Sequence, residues 1–94
     1  MNVKDLAIAK RNAKKIGVQV KPSTRKNKKL DIFNRKGVKV ASIGDLRYND
    51  FHSYKRTKGI EFAKKRQTLY RIRHAKNIKV VGSAGYFANA ILWT

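Results

Sequence analysis

Residues 29–44 read KLDIFNRKGVKVASIG, and this stretch decides the fold class. Leu30, Ile32, Val38 and Val40 alternate with Asp31, Phe33, Lys39 and Ala41, the period of two expected of strands with one buried face. Between the two runs stands NRKG, Asn34 to Gly37, in which the glycine supplies the positive φ that a tight reversal needs. The pattern predicts an antiparallel β-hairpin whose second strand ends at Gly44.

Working outward from the hairpin, the flanks change period. Towards the N-terminus, Val3, Leu6, Ala9, Ala13 and Ile16 recur at helical spacing and define a narrow, alanine-rich stripe over residues 3–16. Asn2 is placed to cap that helix, Asp5 follows at capping-box distance, and Gly17 provides a stop. Val18 and Val20 suit a short strand before a loop marked by Pro22, Ser23 and Asn27. Beyond the hairpin, residues 45–59 read as a connection pinned by Leu46, Tyr48, Phe51 and Tyr54, with Asp45 or Asp50 able to start a helical turn.

Residues 59–76, GIEFAKKRQTLYRIRHAK, predict the main helix, with Phe62, Leu69 and Ile72 on its apolar face. Ser83 caps a short final helix over 84–93. The expected architecture is a single α+β domain, 1–94: N-terminal helix, antiparallel hairpin, longer basic helix and short C-terminal helix, with the helices against one face of the sheet.

Charge bounds the function. The chain has 24 Lys+Arg against 5 Asp+Glu, a formal net charge of +19. Self-repulsion on that scale opposes compaction unless an acidic partner supplies countercharge. The cations are spread over both halves, so the folded body itself is positive rather than a neutral domain with a basic tail. With 41% hydrophobic residues the chain has the means to fold. It contains no cysteine, which excludes disulfides and thiolate metal sites. No stretch has the length of a signal-peptide core or a membrane span, and Asp5 with no early arginine argues against a mitochondrial leader.

Three clusters are candidate polyanion contacts. The first is Lys21, Arg25, Lys26, Lys28 and Lys29; the second is Lys55, Arg56 and Lys58; the third is Lys64, Lys65 and Arg66 with Arg71 and Arg73. Lysine and arginine at such density neutralise phosphates without reading bases. Equally, a solvated basic surface accounts for each cluster taken alone. On the main helix, residues 62, 66, 69 and 73 share one side, so Arg66 and Arg73 flank an apolar ridge over which their stems can lie. Tyr48, Tyr54 and Tyr70 fit either stacking on bases or packing at the core edge.

Catalytic and metal readings find little to stand on. His52 with Asp50 and Ser53 falls in a connection without the geometry of a triad, and His74 suits a helix C-terminus. Two separated histidines and scattered acids make no closed metal site. No Walker, HExxH or GxSxG pattern occurs. The sequence therefore predicts no enzyme, no cofactor, no metal and no small-molecule substrate.

The segments VKPSTRKNKKLDIF, KVASIGDLRYNDF, KRQTLYRIRHAK and GSAGYFANAILW occur in that order across nearly the whole chain. Together they resemble a family of short, basic, mostly uncharacterised proteins of large double-stranded DNA viruses of algae and protists. The resemblance is carried by Arg66–His74 and by the ending from Gly82 to Trp93; Gln67 and Thr68 dilute its basic run. It implies no catalytic residues. It implies a small, non-enzymatic structural protein of the virion, of minor capsid or cement type, binding acidic faces of capsid subunits or the packaged genome. The implied location is the virion, with host cytoplasm or nucleus during assembly. The alternative is a sequence-non-specific nucleic-acid-binding protein of DNA-condensing or ribosomal type. The uncharged ending fits a core helix closing the domain, or a hydrophobic anchor for a neighbouring subunit through Tyr86, Phe87 and Trp93.

Overall fold

The hairpin forms where its alternation places it, and it recruits a third strand. In a computed structural model that describes all 94 residues, β1 (Gln19–Pro22), β2 (Lys28–Phe33) and β3 (Lys39–Asp45) make an antiparallel sheet in the order β1-β2-β3. Asn34 builds the reversal: its carbonyl accepts from the Gly37 N–H at 3.0 Å, and its side-chain Oδ1 accepts from Val38 N at 3.0 Å. Gly37 takes φ +79°, as the turn requires.

One register detail overturns the expected faces of the second strand. Ile32 pairs with Ala41 but Phe33 pairs with Lys39, leaving Val40 as the extra residue of a bulge. A single inserted residue reverses which side chains point inward. Ala41 and Ile43 therefore join Leu30 and Ile32 at the core, while Val38 and Val40 remain exposed. β3 also runs one residue past Gly44, to Asp45.

Two helices cover the core face of the sheet. α1 (Val3–Lys15) contributes Ala9 and Ala13, and its small side chains admit close neighbours. α5 (Ala84–Leu92) contributes Phe87, Ile91 and Leu92, which pack with Val20, Leu30, Ile32 and Ile43 in one cluster. Both helices start on side-chain caps: Asn2 Oδ1 accepts from Asp5 N at 2.8 Å, and Ser83 Oγ accepts from Tyr86 N at 3.1 Å. A Cβ at Gly44 would stand 2.9 Å from Leu92 Cδ1, so the glycine lets the end of α5 settle on β3. The expected N-terminal stripe holds from Leu6 to Ile16, both of which pack against the core, and fails only at Val3, which is exposed.

The other face of the sheet carries Asp31, which is 2% exposed. Ser42 Oγ donates to it at 2.7 Å, Ser23 Oγ and Thr24 N also donate, and Lys39 Nζ lies 3.3 Å away. Burial pushes this carboxyl up, but the four donors outweigh it and hold the group well below the usual aspartate range.

The remaining helices lie beside α5. The segment expected to be a connection is a true helix, α2 (Phe51–Lys58), whose N-cap Asp50 receives the Ser53 side chain: Asp50 N donates to Ser53 Oγ at 2.8 Å. Gly59 alone joins α2 to α3 (Ile60–Arg73), at φ +91°. The predicted helix over 59–76 is interrupted at His74, which closes α3 and opens the short α4 (Ala75–Ile78).

Candidate polyanion-binding surface and groove

α3 turns a different face inward from the one its apolar residues predict. Ala63 is its sole buried residue, and Gln67 and Tyr70 follow it on the inward side at helical spacing. Phe62, Leu69 and Ile72, expected in the core, are 42%, 50% and 69% exposed. The sequence explains why. Residues 62, 66, 69 and 73 form one ridge, so burying Phe62 and Leu69 would carry Arg66 and Arg73 out of water with them. Desolvating unpaired charges costs far more than two apolar side chains return.

The predicted cations divide into structural and free groups. Lys29 is structural: its Nζ lies 2.9 Å from Asp50 Oδ2, the two side chains are 10% and 6% exposed, and the pair ties β2 to the start of α2. Arg56 meets Asp5 at 3.0 Å and ties α2 to α1. Arg71 donates from Nε to Asn89 Oδ1 at 3.0 Å and from a terminal nitrogen to the Trp93 carbonyl at 3.1 Å, holding α3 on α5. Lys21 lies over the Phe33 ring at 5.2 Å. Arg25, Lys26, Lys55, Lys58, Lys64, Lys65, Arg66 and Arg73 are exposed, and Lys28 is half-buried. Four of the 24 cations form ion pairs with carboxylates, leaving 20 that do not.

Folding brings two of the three clusters together. A groove of about 550 Å³ opens between the β2–β3 end, α2, α3, α4 and α5, with Lys28 on its sheet side and Arg66 and Arg73 on its helix side. Its floor is aromatic. The Tyr70 and Trp93 rings stack with centroids 4.4 Å apart and planes 9° from parallel. Tyr54 lies 6.3 Å from Trp93, and the Arg66 guanidinium sits 5.5 Å over the Tyr54 ring. His74 packs on Tyr70 at 4.5 Å from the C-cap of α3, the helix terminus its sequence position suited. Burial raises the Tyr70 phenol above its ordinary value.

Two carboxylates share these walls, and both are engaged. Asp50 is held by Lys29. Arg47 hydrogen-bonds Asp45 at 2.8 Å through its side chain and again through its backbone, lowering that carboxyl to about 2. Lys28, Arg66 and Arg73 are thus the wall cations in no ion pair, although Lys28 stands opposite Asp45 in the β2–β3 ladder and helps to lower its carboxyl. The sequence named all three but held no signal that Lys28 lines the same groove as the α3 arginines, because that depends on how α5 positions α3. The buried Asp31 network was equally hidden: its partners lie 8 and 11 residues away, on a loop and on the neighbouring strand.

The proposed anchor separates into three different residues. Phe87 is 6% exposed and belongs to the core, which corrects the expectation that it projects to a partner. Tyr86 is half-buried, edge-on to Phe87 at 5.5 Å. Trp93 is half-buried in the groove. The backbone that follows α5's core residues is clasped from three sides: Asn12 Nδ2 donates to the Ile91 carbonyl at 3.1 Å, Gln67 Nε2 donates to the Trp93 carbonyl at 2.7 Å, and His52 Nε2 lies 2.6 Å from the Thr94 carbonyl. No three His, Asp or Glu side chains gather to hold a metal, and no helix is long and apolar enough to cross a membrane. No protein-family model, curated protein or solved structure matches the chain.

Proposed function

We propose that this protein is a non-enzymatic, sequence-non-specific binder of nucleic acid, acting through the phosphate backbone. The observation that carries this reading is the 20 cations without a carboxylate partner, displayed on a folded body rather than a tail. A surface in that condition releases condensed counterions when it meets phosphates, and binding follows from charge with little demand on sequence. Gel-shift titrations with unrelated duplexes at several salt concentrations test it. Affinity should fall linearly on a log–log scale, by about 0.9 per phosphate neutralised. Reversing Lys64, Lys65 and Arg66 to glutamate should weaken binding to every duplex and flatten that slope. Absence of binding at low salt refutes the reading.

A second reading, the small structural component of a virion, is favoured by a separate observation. Phe62, Leu69 and Ile72 on α3, and Val81 before α5, expose apolar surface of the sort that neighbouring subunits bury. The resemblance of the Gly82–Trp93 ending points the same way. Here the basic surface would face acidic capsid subunits or the packaged genome. Mass spectrometry of purified particles of a virus encoding this chain tests it; stoichiometric copies support the reading and absence ends it.

A further inference from the structure

We infer that the groove between the sheet and α3 takes the unpaired bases of a single-stranded nucleic acid, while Arg66, Arg73 and Lys28 hold its phosphates. The inference rests on the polyanion-binding reading and names its preferred substrate.

Three features distinguish the groove from the rest of the basic surface. First, cations and rings share its lining: Lys28 comes from β2, Arg66 and Arg73 from α3, and the stacked Tyr70–Trp93 pair lines it with them. A single strand offers a partner to each, phosphates to the cations and base faces to aromatic rings. Second, its volume of about 550 Å³ lies within the range that encloses small organic ligands, roughly 300–1,000 Å³. It admits a base or two and not a duplex, whose bases would first have to be unstacked. Third, Arg66 and Arg73 stand two turns apart on α3, about 10.5 Å along its axis. That spacing exceeds the span of one phosphate group and suits a strand carrying several.

Tyr48 supplies the accessible stacking face. It lines the groove from the loop between β3 and α2, is 65% exposed, and has the Arg47 guanidinium 5.6 Å from its ring. Every base offers a π-face to such a ring, so stacking adds affinity without sequence preference. Trp93 is the one tryptophan of the chain and lines the groove, so its emission reports occupancy directly.

The experiment is a fluorescence titration of the full chain with oligothymidylate, an abasic strand of equal length, and thymidine monophosphate. Oligothymidylate should bind more tightly than the abasic strand and change Trp93 emission. Tyr48→Ala should reduce the preference for oligothymidylate over the abasic strand at least about five-fold, the low end for one stacked base. Because Tyr48 is largely exposed, that variant tests the groove without disturbing the core. Arg73→Gln should weaken both strands. Equal affinity for the two strands overturns the inference, as does a Tyr48→Ala variant that keeps the full preference. Thymidine monophosphate binding as tightly as the oligomer also overturns it. In those cases a salt-dependent gel shift with duplex would leave the backbone-binding reading standing, whereas loss of all binding at low salt removes both.

Discussion

α5 and α3 both carry large apolar side chains at helical spacing, yet they meet the protein in opposite ways. α5 buries Phe87, Ile91 and Leu92 against the sheet and α1, and it contains no charge. α3 buries Ala63 alone and leaves Ile60, Phe62, Leu69 and Ile72 in solvent. The difference is what stands between the apolar residues. On α5 the gaps hold alanine, glycine and asparagine; on α3 they hold Lys65, Arg66 and Arg73. Helical periodicity defines a face, but the charges interleaved with it decide whether the face can be dehydrated. α3 is therefore held by a short inward residue, hydrogen bonds and ring stacking, and α5 by the hydrophobic effect.

The sharpest test removes bulk from the α5 side. Ile91 is fully buried, and Ile91→Ala should cost about 2–5 kcal/mol through lost transfer energy and the cavity left behind. For a domain of this size each kcal/mol lowers Tm by about 4–8 °C, so thermal unfolding should read a large drop. A drop of a degree or two would mean that α5 is no more central than α3.

The polar side of the same sheet comes next. Asp31→Ala strips an acceptor from Ser23, Ser42 and Lys39 and should cost about 1–3 kcal/mol. The sign of its pH dependence follows from the depressed carboxyl. Stabilisation by Asp31 is complete above the ordinary aspartate value of about 3.9 and is lost as the pH falls below it towards the folded-state value. Wild type and variant should differ most near neutrality and converge in acid, as denaturant titrations at several pH values would show. A difference that widens in acid contradicts the hydrogen-bond account of Asp31.

The same contrast explains how much of the molecule was legible in its sequence. The hairpin, α1 and α5 could be read because each has a local pattern and its own punctuation: Gly37 in the turn, Asn2 and Ser83 at the caps. β1 was read from Val18 and Val20 with Pro22 in the following loop, whereas the strand runs Gln19–Pro22, since a strand of four residues gains its identity from its neighbour. The face of β3 was misread because a bulge is a property of pairing, not of one strand. α3 was placed correctly along the chain but faced the wrong way, because spacing carries no information about what lies opposite. The 62/66/69/73 ridge was nevertheless identified, and it borders the groove through Arg66, Leu69 and Arg73. That the ridge and Lys28 line one groove was not legible, for the placement of α3 is held by contacts 26 and 22 residues apart in sequence, from Gln67 and Arg71 to the Trp93 carbonyl.

Those contacts give the third test. Gln67→Ala removes one donor to the Trp93 carbonyl but leaves Arg71 in place 3.1 Å away. The expected cost is about 0.5–1.5 kcal/mol, the net value of an ordinary hydrogen bond. It should exceed any effect of trimming the outer face of α3, although the trimmed side chain there is apolar and Gln67 is not. Denaturant midpoints of the two variants, measured side by side, make the comparison.

The outer face supplies the smallest expected effect and the most direct test of the account of α3. Ile72 is 69% exposed and follows Lys65 on the solvent side of the helix. Isoleucine and serine have closely similar helix propensities, so Ile72→Ser changes apolar area without changing the intrinsic cost of the helix. Its stability should stay within about 0.5 kcal/mol of wild type, as for a surface substitution that breaks no specific contact. A loss above about 1 kcal/mol would show that Ile72 is covered in solution. If the loss came with a Tm that rises with protein concentration, the cover would be a second copy of the chain, because mass action ties stability to concentration only when folded molecules associate. A concentration-independent loss would instead place Ile72 in the intramolecular core and contradict the argument that the interleaved cations hold this face in water.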